Sequence, residues 1–183
     1  MSYQEIIDKY YPVDTKCRGI FLQHSRQVAD KAIGIARRCN LDIPLETVET
    51  AAMLHDIGIF LTNAPDIDCH GTEHYICHGI LGADLLRKEG IDEAIARVAE
   101  RHTGAGLTID DIEHQQLPLP RKDYIPETLL EKLICYADKF FSKSGTMQEK
   151  TLDKVRASMA RHSPESLARF DKLHQLFNTN LHR

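Results

Sequence analysis

The sequence predicts an all-α fold, a bundle of amphipathic helices around one apolar core. Two observations carry that expectation. Apolar residues recur at three- and four-residue spacing through most of the chain, and the stretches end or begin at residues that stop or start helices. No long alternation of β-branched residues suggests a sheet. The 183 residues, 42% hydrophobic and 27% charged, suit one domain spanning 1–183. Its core covers roughly 20–141, with a C-terminal helical extension over 147–178.

The segment 20–39 sets Phe21, Val28, Ala32, Ile35 and Cys39 on one stripe, and Asn40 follows as its stop. Asp42 is expected to cap a second helix, with Pro44 in its first turn, running to about Gly58. Residues 61–75 hold Asn63, Pro65 and Gly71 and read as a loop. A third helix runs from about Ile76 to Glu89 and stops at Gly90, and a fourth from about Asp92 to His102. Residues 103–125, with two glycines and two prolines, form a second loop, long enough to act as a lid. A fifth helix starts near Pro126 and reaches about Phe141. Ser142 to Met147 breaks the pattern. The region 147–178 is amphipathic, interrupted at Ser163-Pro164, with Phe170, Leu173, Leu176 and Phe177 on its buried side.

Composition excludes several classes. No apolar run approaches the roughly 20 residues that span a bilayer, and the N-terminus lacks the basic start and apolar core of a signal peptide, so a cytoplasmic protein without a membrane partner is expected. A net charge of −4 gives no basic footprint for duplex nucleic acid. The five cysteines, Cys17, Cys39, Cys69, Cys77 and Cys135, contain no CxxC pair, which argues against a thiolate zinc site. They are expected to be mostly reduced, half-buried small hydrophobes. Nothing in the sequence indicates an oligomeric state.

Ten histidines are the unusual feature. His24 lies between Phe21 and Val28, His55 continues the row of Val48 and Ala52 with Asp56 beside it, and His102 continues Ile95 and Val98. His78 lies one turn before Leu81, and Asp138 sits between Ile134 and Phe141. Side chains at this spacing share a helix face, and bundles build metal sites where such faces converge. A buried carboxylate needs a partner, and a metal satisfies Asp56 and Asp138 together. Singly, such a histidine is usually a hydrogen-bonded core residue; the ordered series His24, His55-Asp56, His78, His102, Asp138 is what points to a metal site. His114, His162, His174 and His182 are expected at the surface.

The segment AAMLHDIGIF resembles the signature of the HD-domain superfamily and its HDIG subgroup. QHSRQVADKAIGIARR resembles that family's first helix, CHGILGADLLRKEG and AIARVAERHTGAG the histidine segments of its dinuclear members, and ICYADKF the segment of the closing aspartate. The resemblance covers roughly 20–141 and implies an HD-domain helical bundle with a metal site in its core. By the same resemblance His24, His55, Asp56 and Asp138 hold one ion, His78 and His102 complete a second position, and Asp56 bridges the two and orients the nucleophile. One departure stands out. Many related subgroups follow HDxG with lysine, whereas Ile59 follows Gly58 here, and the GYP signature is absent, which weakens any transfer from cyclic-dinucleotide phosphodiesterases of the HD type.

The resemblance implies metal-dependent hydrolysis of a phosphate ester or anhydride, with a small phosphorylated substrate, a nucleotide among those compatible. A metal lowers the pKa of bound water from 15.7 to roughly 7, which makes it a nucleophile at neutral pH. Histidine and carboxylate together suit a divalent transition metal, two ions being expected, with iron or manganese favoured and zinc compatible. Because histidine must be neutral to bind metal, activity and metal occupancy are expected to fall together below about pH 6. Substrate contacts are sought among Arg18, Lys139, Thr103, Arg101, Arg121 and His74, with His70 a further loop histidine. The same ligand order resembles mixed-valence di-iron oxygenases that cleave C–C or C–P bonds, and a non-catalytic sensor module is a third reading, disfavoured because all six ligand types are retained.

Overall fold

The computed structural model describes residues 1–178. Helix α1 (Tyr3–Tyr10) opens the chain, fixed at its start by a reciprocal cap between Ser2 and Glu5. It is followed by α2 (Lys16–Arg38), with Thr15 as its N-cap, and α3 (Leu45–Leu54). A short antiparallel pair, β1 (Asn63–Ala64) and β2 (Cys69–His70), then leads through one 3-10 turn (Tyr75–Cys77) into α4 (His78–Lys88). The chain closes with α5 (Glu93–Arg101), α6 (Ile109–His114), α7 (Leu129–Asp138), α8 (Leu152–His162) and α9 (Pro164–Asn178).

One contiguous apolar core runs from Ile6 in α1 to Phe177 in α9. At its centre α2 packs against α3 and α7, and α5 packs against α4, α3 and α7. The expected all-helical architecture is present, and among the described residues no helix is long and apolar enough to cross a membrane.

Several boundaries differ from the sequence expectation, each for a local reason. Helix α1 was absent from it; two buried isoleucines, Ile6 and Ile7, and a cap hold this one-face helix to the core. Asp42 does not cap α3: Pro44 occupies the cap position without any side-chain bond. That helix ends at Leu54 rather than Gly58, because the chain turns at His55–Gly58 to present adjacent side chains inward. The fifth helix starts at Leu129, not Pro126, under a Thr128–Glu131 cap. The C-terminal region becomes helical only at Leu152, since Met147 has φ 51°. Leu176 faces solvent, while Phe170, Leu173 and Phe177 are buried as expected. His174 is half-buried, its Nδ1 2.9 Å from the Tyr136 hydroxyl, whereas His114 and His162 are exposed; His182 lies outside the described residues.

The stretch 103–125 is a packed element rather than a lid. Leu107, Ile112 and Tyr124 form a satellite cluster with Ile76 and Ile80, and Leu107 and Tyr124 exchange backbone hydrogen bonds of 2.7 and 3.2 Å. Helix α6 within it is stabilised by a Thr108–Asp111 capping box. All five cysteines are free: Cys39 and Cys77 are half-buried as expected, Cys17, Cys69 and Cys135 are buried, and the sulfurs of Cys17 and Cys69 lie 3.3 Å apart.

Candidate metal centre

The centre is assembled by close backbone approach. A Cβ on Gly58 would stand 2.3 Å from the His78 carbonyl oxygen and 2.5 Å from the Gly82 nitrogen, so only glycine lets the His55–Gly58 turn lie against α4. A Cβ on Gly79 would stand 2.7 Å from the Ala99 carbonyl oxygen of α5. From the other side, the Tyr11 hydroxyl donates to the Ile57 carbonyl at 2.9 Å, and the Tyr11 ring stacks on Phe21, one turn before His24. Thus α1 and the glycines fix the turn that carries His55 and Asp56.

Two clusters result. The ligating atoms of His24, His55, Asp56 and Asp138 lie within 4.8 Å of one another, as do those of Asp56, His78 and His102, and all six residues are buried. Asp56 belongs to both. Its Oδ2 is 3.2 Å from His24 Nε2 and 3.3 Å from His55 Nε2, while its Oδ1 is 3.1 Å from His102 Nε2 and 3.4 Å from His78 Nε2. Asp138 Oδ1 closes the first cluster, 2.9 Å from His24 Nε2 and 3.4 Å from His55 Nε2.

The ring orientations test whether a cation fits. His55, His78 and His102 each place Nδ1 2.6–2.8 Å from the backbone carbonyl three residues earlier. A carbonyl only accepts, so each Nδ1 carries a proton and each Nε2 faces the cluster, the arrangement by which metal-binding histidines are oriented. The Nε2 atoms of His78 and His102 face each other at 3.0 Å, a distance at which two lone pairs require something positive between them. His55 Nε2 is buried with no hydrogen-bond partner. Burial pushes His78 down to about 3 and His102 down as well, so both are neutral donors at physiological pH. At His55 burial also opposes charge, but Asp56 and Asp138 outweigh it and raise the group to about 9: the first cluster attracts positive charge. Both aspartates remain ionised despite burial, Asp56 beside Lys143 and His55, Asp138 beside Lys139 and His24. Buried imidazoles and carboxylates with converging lone pairs can hold divalent transition-metal ions, and the set suits them better than calcium or magnesium.

The expected substrate contacts divide. Lys139 reaches the centre, its Nζ 2.5 Å from Asp138 Oδ2 and its side chain buried. Thr103 lies against Gly79 at the start of α4. The others are not brought to the clusters. Arg18 donates to the Tyr11 carbonyl and pairs with Asp8, fastening α1 to α2. Arg101 is spent on the Ile125 carbonyl and on Glu127. Arg121 is exposed and pairs with Glu113. His74 is exposed at the cap of the 3-10 turn, and His70 is exposed and bonds Asp68.

Two residues at the centre were not anticipated. Lys143 is half-buried, with Nζ 2.7 Å from Asp56 Oδ2, and Tyr75 stacks on the His78 ring at 4.7 Å. Lys143 sits five residues past Asp138 in a non-helical segment, where spacing carries no signal. That segment is placed by tertiary bonds: Gln27 donates to the Met147 carbonyl at 2.7 Å, and the Lys150 backbone to that of Phe140 at 2.8 Å. A cavity of about 400 Å³ opens here, reaching Asp138, Lys139, Lys143, Tyr75 and Lys150.

Comparison with known proteins places this arrangement. The chain is 33% identical over 159 residues to a tRNA (cytidine(56)-2'-O)-methyltransferase of Thermoplasma volcanium, a match covering 86% of this chain and 42% of that protein. It is 35% identical over 184 residues to the protein of the same name from Picrophilus torridus, covering 96% and 49%. The chain therefore spans less than half the length of these two relatives. An uncharacterised protein of Methanocaldococcus jannaschii is 38% identical over 125 residues, 67% of this chain and 66% of that one. Among solved structures, the HD domain of the L. monocytogenes phosphodiesterase PgpH aligns with a TM-score of 0.55 at 16% identity over 98% of this chain and 99% of that one. The same domain in complex with cyclic-di-AMP aligns at 0.56 and 17% identity, over 99% and 97%. At such identity they share the fold. The HD domain model matches residues 21–142, and on that match, with the six ligand-type side chains gathered in its core, the chain belongs to the HD domain family.

Proposed function

We propose that this protein is a metal-dependent phosphohydrolase acting on a nucleotide or another small phosphate ester or anhydride, with two metal ions held by His24, His55, Asp56 and Asp138 and by Asp56, His78 and His102. The observation that carries the reading is the shared carboxylate, with one Asp56 oxygen facing each cluster. It stands beside a cavity whose wall supplies ammonium groups at the same centre.

A bound transition metal supplies Lewis acidity and a water of lowered pKa. The chain's own residues do the rest. Lys139 and Lys143 bring two positive charges to the place where phosphoryl oxygens would lie, favouring a transition state in which charge gathers on those oxygens. Asp56 and Asp138 stay ionised and fix the imidazoles, and the three carbonyl-bound Nδ1 protons keep Nε2 of His55, His78 and His102 aimed inward. Tyr75 walls the cavity over His78 and limits water access from that side.

The methyltransferase relatives have more chain outside the match than inside it. RNA is nevertheless a compatible substrate class.

The test is metal content of protein purified without chelator, scored beside phosphate release from a panel of nucleotides and simple esters. About two metal equivalents, with phosphate release lost in Asp56→Ala, is the expected result. Two irons, no phosphate release and oxygen uptake on an organic substrate would replace the hydrolase with an oxygenase. Folded protein that binds no metal would remove the reading altogether.

A further inference from the structure

The cavity at the metal centre does not end there. A second cavity, of about 590 Å³, shares Ser142, Lys150 and Ser158 with it and continues along α8 past Lys154 to Arg161. The two form one trough that starts at Asp138 and runs out over the surface of α8.

Its floor carries an ordered row of cations. Lys139 and Lys143 stand at the inner end and Lys150 in the shared middle. Lys154 and Arg161 follow at four and eleven residues beyond Lys150, on one face of α8. At 1.5 Å per residue, Lys154 and Arg161 are about 10 Å apart along the axis, and Lys150 precedes the helix on the same trough. Many cations elsewhere on the molecule are paired, among them Arg26 with Glu49, Arg97 with Glu131 and Arg169 with Asp111. Lys150, Lys154 and Arg161 have no ion-pair partner among the described residues. Lys139 and Lys143 are paired with Asp138 and Asp56, so the unneutralised charge of the row is that of Lys150, Lys154 and Arg161. Asp66 and Asp138 line the inner cavity, and no carboxylate lines the outer one. In a chain of net charge −4, such a concentration is local and costs repulsion.

The walls are not those of a bare anion site. Tyr75, 37% exposed, presents a ring at the inner end, Phe141 and Met159 line the same cavity, and Ser142 and Ser158 supply hydroxyls at the junction. A track of cations with aromatic and apolar surface beside it is how proteins hold single-stranded nucleic acid, the backbone on the charges and the bases on the rings. Inorganic polyphosphate would leave the rings and apolar wall unused. A duplex cannot offer its bases to Tyr75.

We propose that the trough from Asp138 along α8 binds a single-stranded oligonucleotide, with a phosphate at the metal centre and two or more further backbone phosphates on Lys150, Lys154 and Arg161. The inference rests on the phosphohydrolase reading for what happens at the inner end, but the binding itself does not require hydrolysis.

The experiment is fluorescence anisotropy of a dye-labelled hexauridylate on the whole chain, held with chelator so that nothing is cleaved. Binding should weaken steeply with salt, with a log–log slope of about 2 for three neutralised phosphates. Lys154→Glu with Arg161→Glu should weaken it at least ten-fold. Arg37→Glu with Lys172→Glu, an equal change of charge at exposed positions lining neither cavity, should change it less than two-fold. Circular dichroism melting checks that both variants fold. Equal losses in the two double variants, no salt dependence, or equal competition by duplex or by tripolyphosphate would overturn the proposal. Salt-dependent, α8-dependent binding in a protein that releases no phosphate from any substrate would keep this site and remove the hydrolase. Phosphate release from mononucleotides with no hexauridylate binding would do the reverse.

Discussion

His78 and His102 face each other through their Nε2 atoms at 3.0 Å, each ring locked by an Nδ1–H bond to the carbonyl three residues before it. Two acceptors held that way, with Asp56 Oδ1 beside both, could hold a cation. His78→Ala should therefore lower metal content from about two ions per chain to about one, leaving the His24–His55–Asp138 cluster loaded. Asp56→Ala should lose both. Elemental analysis of the two purified variants checks this, and two retained ions in His78→Ala would mean that the second cluster is not a metal position.

Lys143 and Asp56 form a largely buried ion pair at 2.7 Å. Removing the ammonium leaves a carboxylate with one fewer positive neighbour. Lys143→Met should destabilise the metal-free protein by roughly 1.5–3 kcal/mol, a typical value for a hydrogen bond to a charged group. Metal restores positive charge next to Asp56, so the loss should shrink when the protein is loaded. Melting temperatures with and without chelator give the comparison; equal losses in both states would show that Lys143 does not offset the Asp56 charge.

Gly58 is where the His55–Gly58 turn meets α4. Gly58→Ala would drive a methyl into the His78 carbonyl and the Gly82 nitrogen, both backbone atoms that cannot swing away. We expect destabilisation of at least 1–3 kcal/mol, the usual range for overpacking. Because the shift separates Asp56 from His78, metal content should fall too. Gly34→Ala, where an added methyl meets nothing within 4 Å, serves as the control and should be neutral or stabilising.

Asp111 of α6 and Arg169 of α9 are joined at 2.6 Å, tying the 103–125 stretch to the C-terminal helix. Burial opposes the charge of Asp111, but the Thr108 backbone N–H and Arg169 outweigh it and lower its pKa below the unfolded value of 3.8. Stability from this group is thus present above about pH 4 and is lost as pH falls through the lower folded value. Asp111→Asn should melt lower than wild type at pH 7, by an amount equivalent to about 1 kcal/mol, and the two curves should converge on acidification. A difference that persists unchanged to the lowest measurable pH would show that charge is not the cause.

The sequence by itself determined the helical class, the ligand-type side chains and the order in which they come. His24, His102 and Asp138 were legible because each continues an apolar stripe, and a stripe at helical period must face the core. His55-Asp56 was legible as an adjacent pair, but not the means by which two neighbours both point inward: that required α3 to stop at Leu54, and the stop comes from packing of Gly58 on α4 rather than from any local breaker. Tertiary structure alone decided which cations serve the centre. Arg18, Arg101 and Arg121 were reasonable by sequence proximity, yet a long charged side chain goes to the nearest carboxylate or carbonyl, and each finds one elsewhere. Lys143 and Lys150 lie in a segment without periodicity, so only its attachment to α2 and to the Phe140 carbonyl brings them to Asp56 and to the trough. Periodicity fixes the direction of a side chain within its own element; its partner in another element depends on distances that no local pattern encodes.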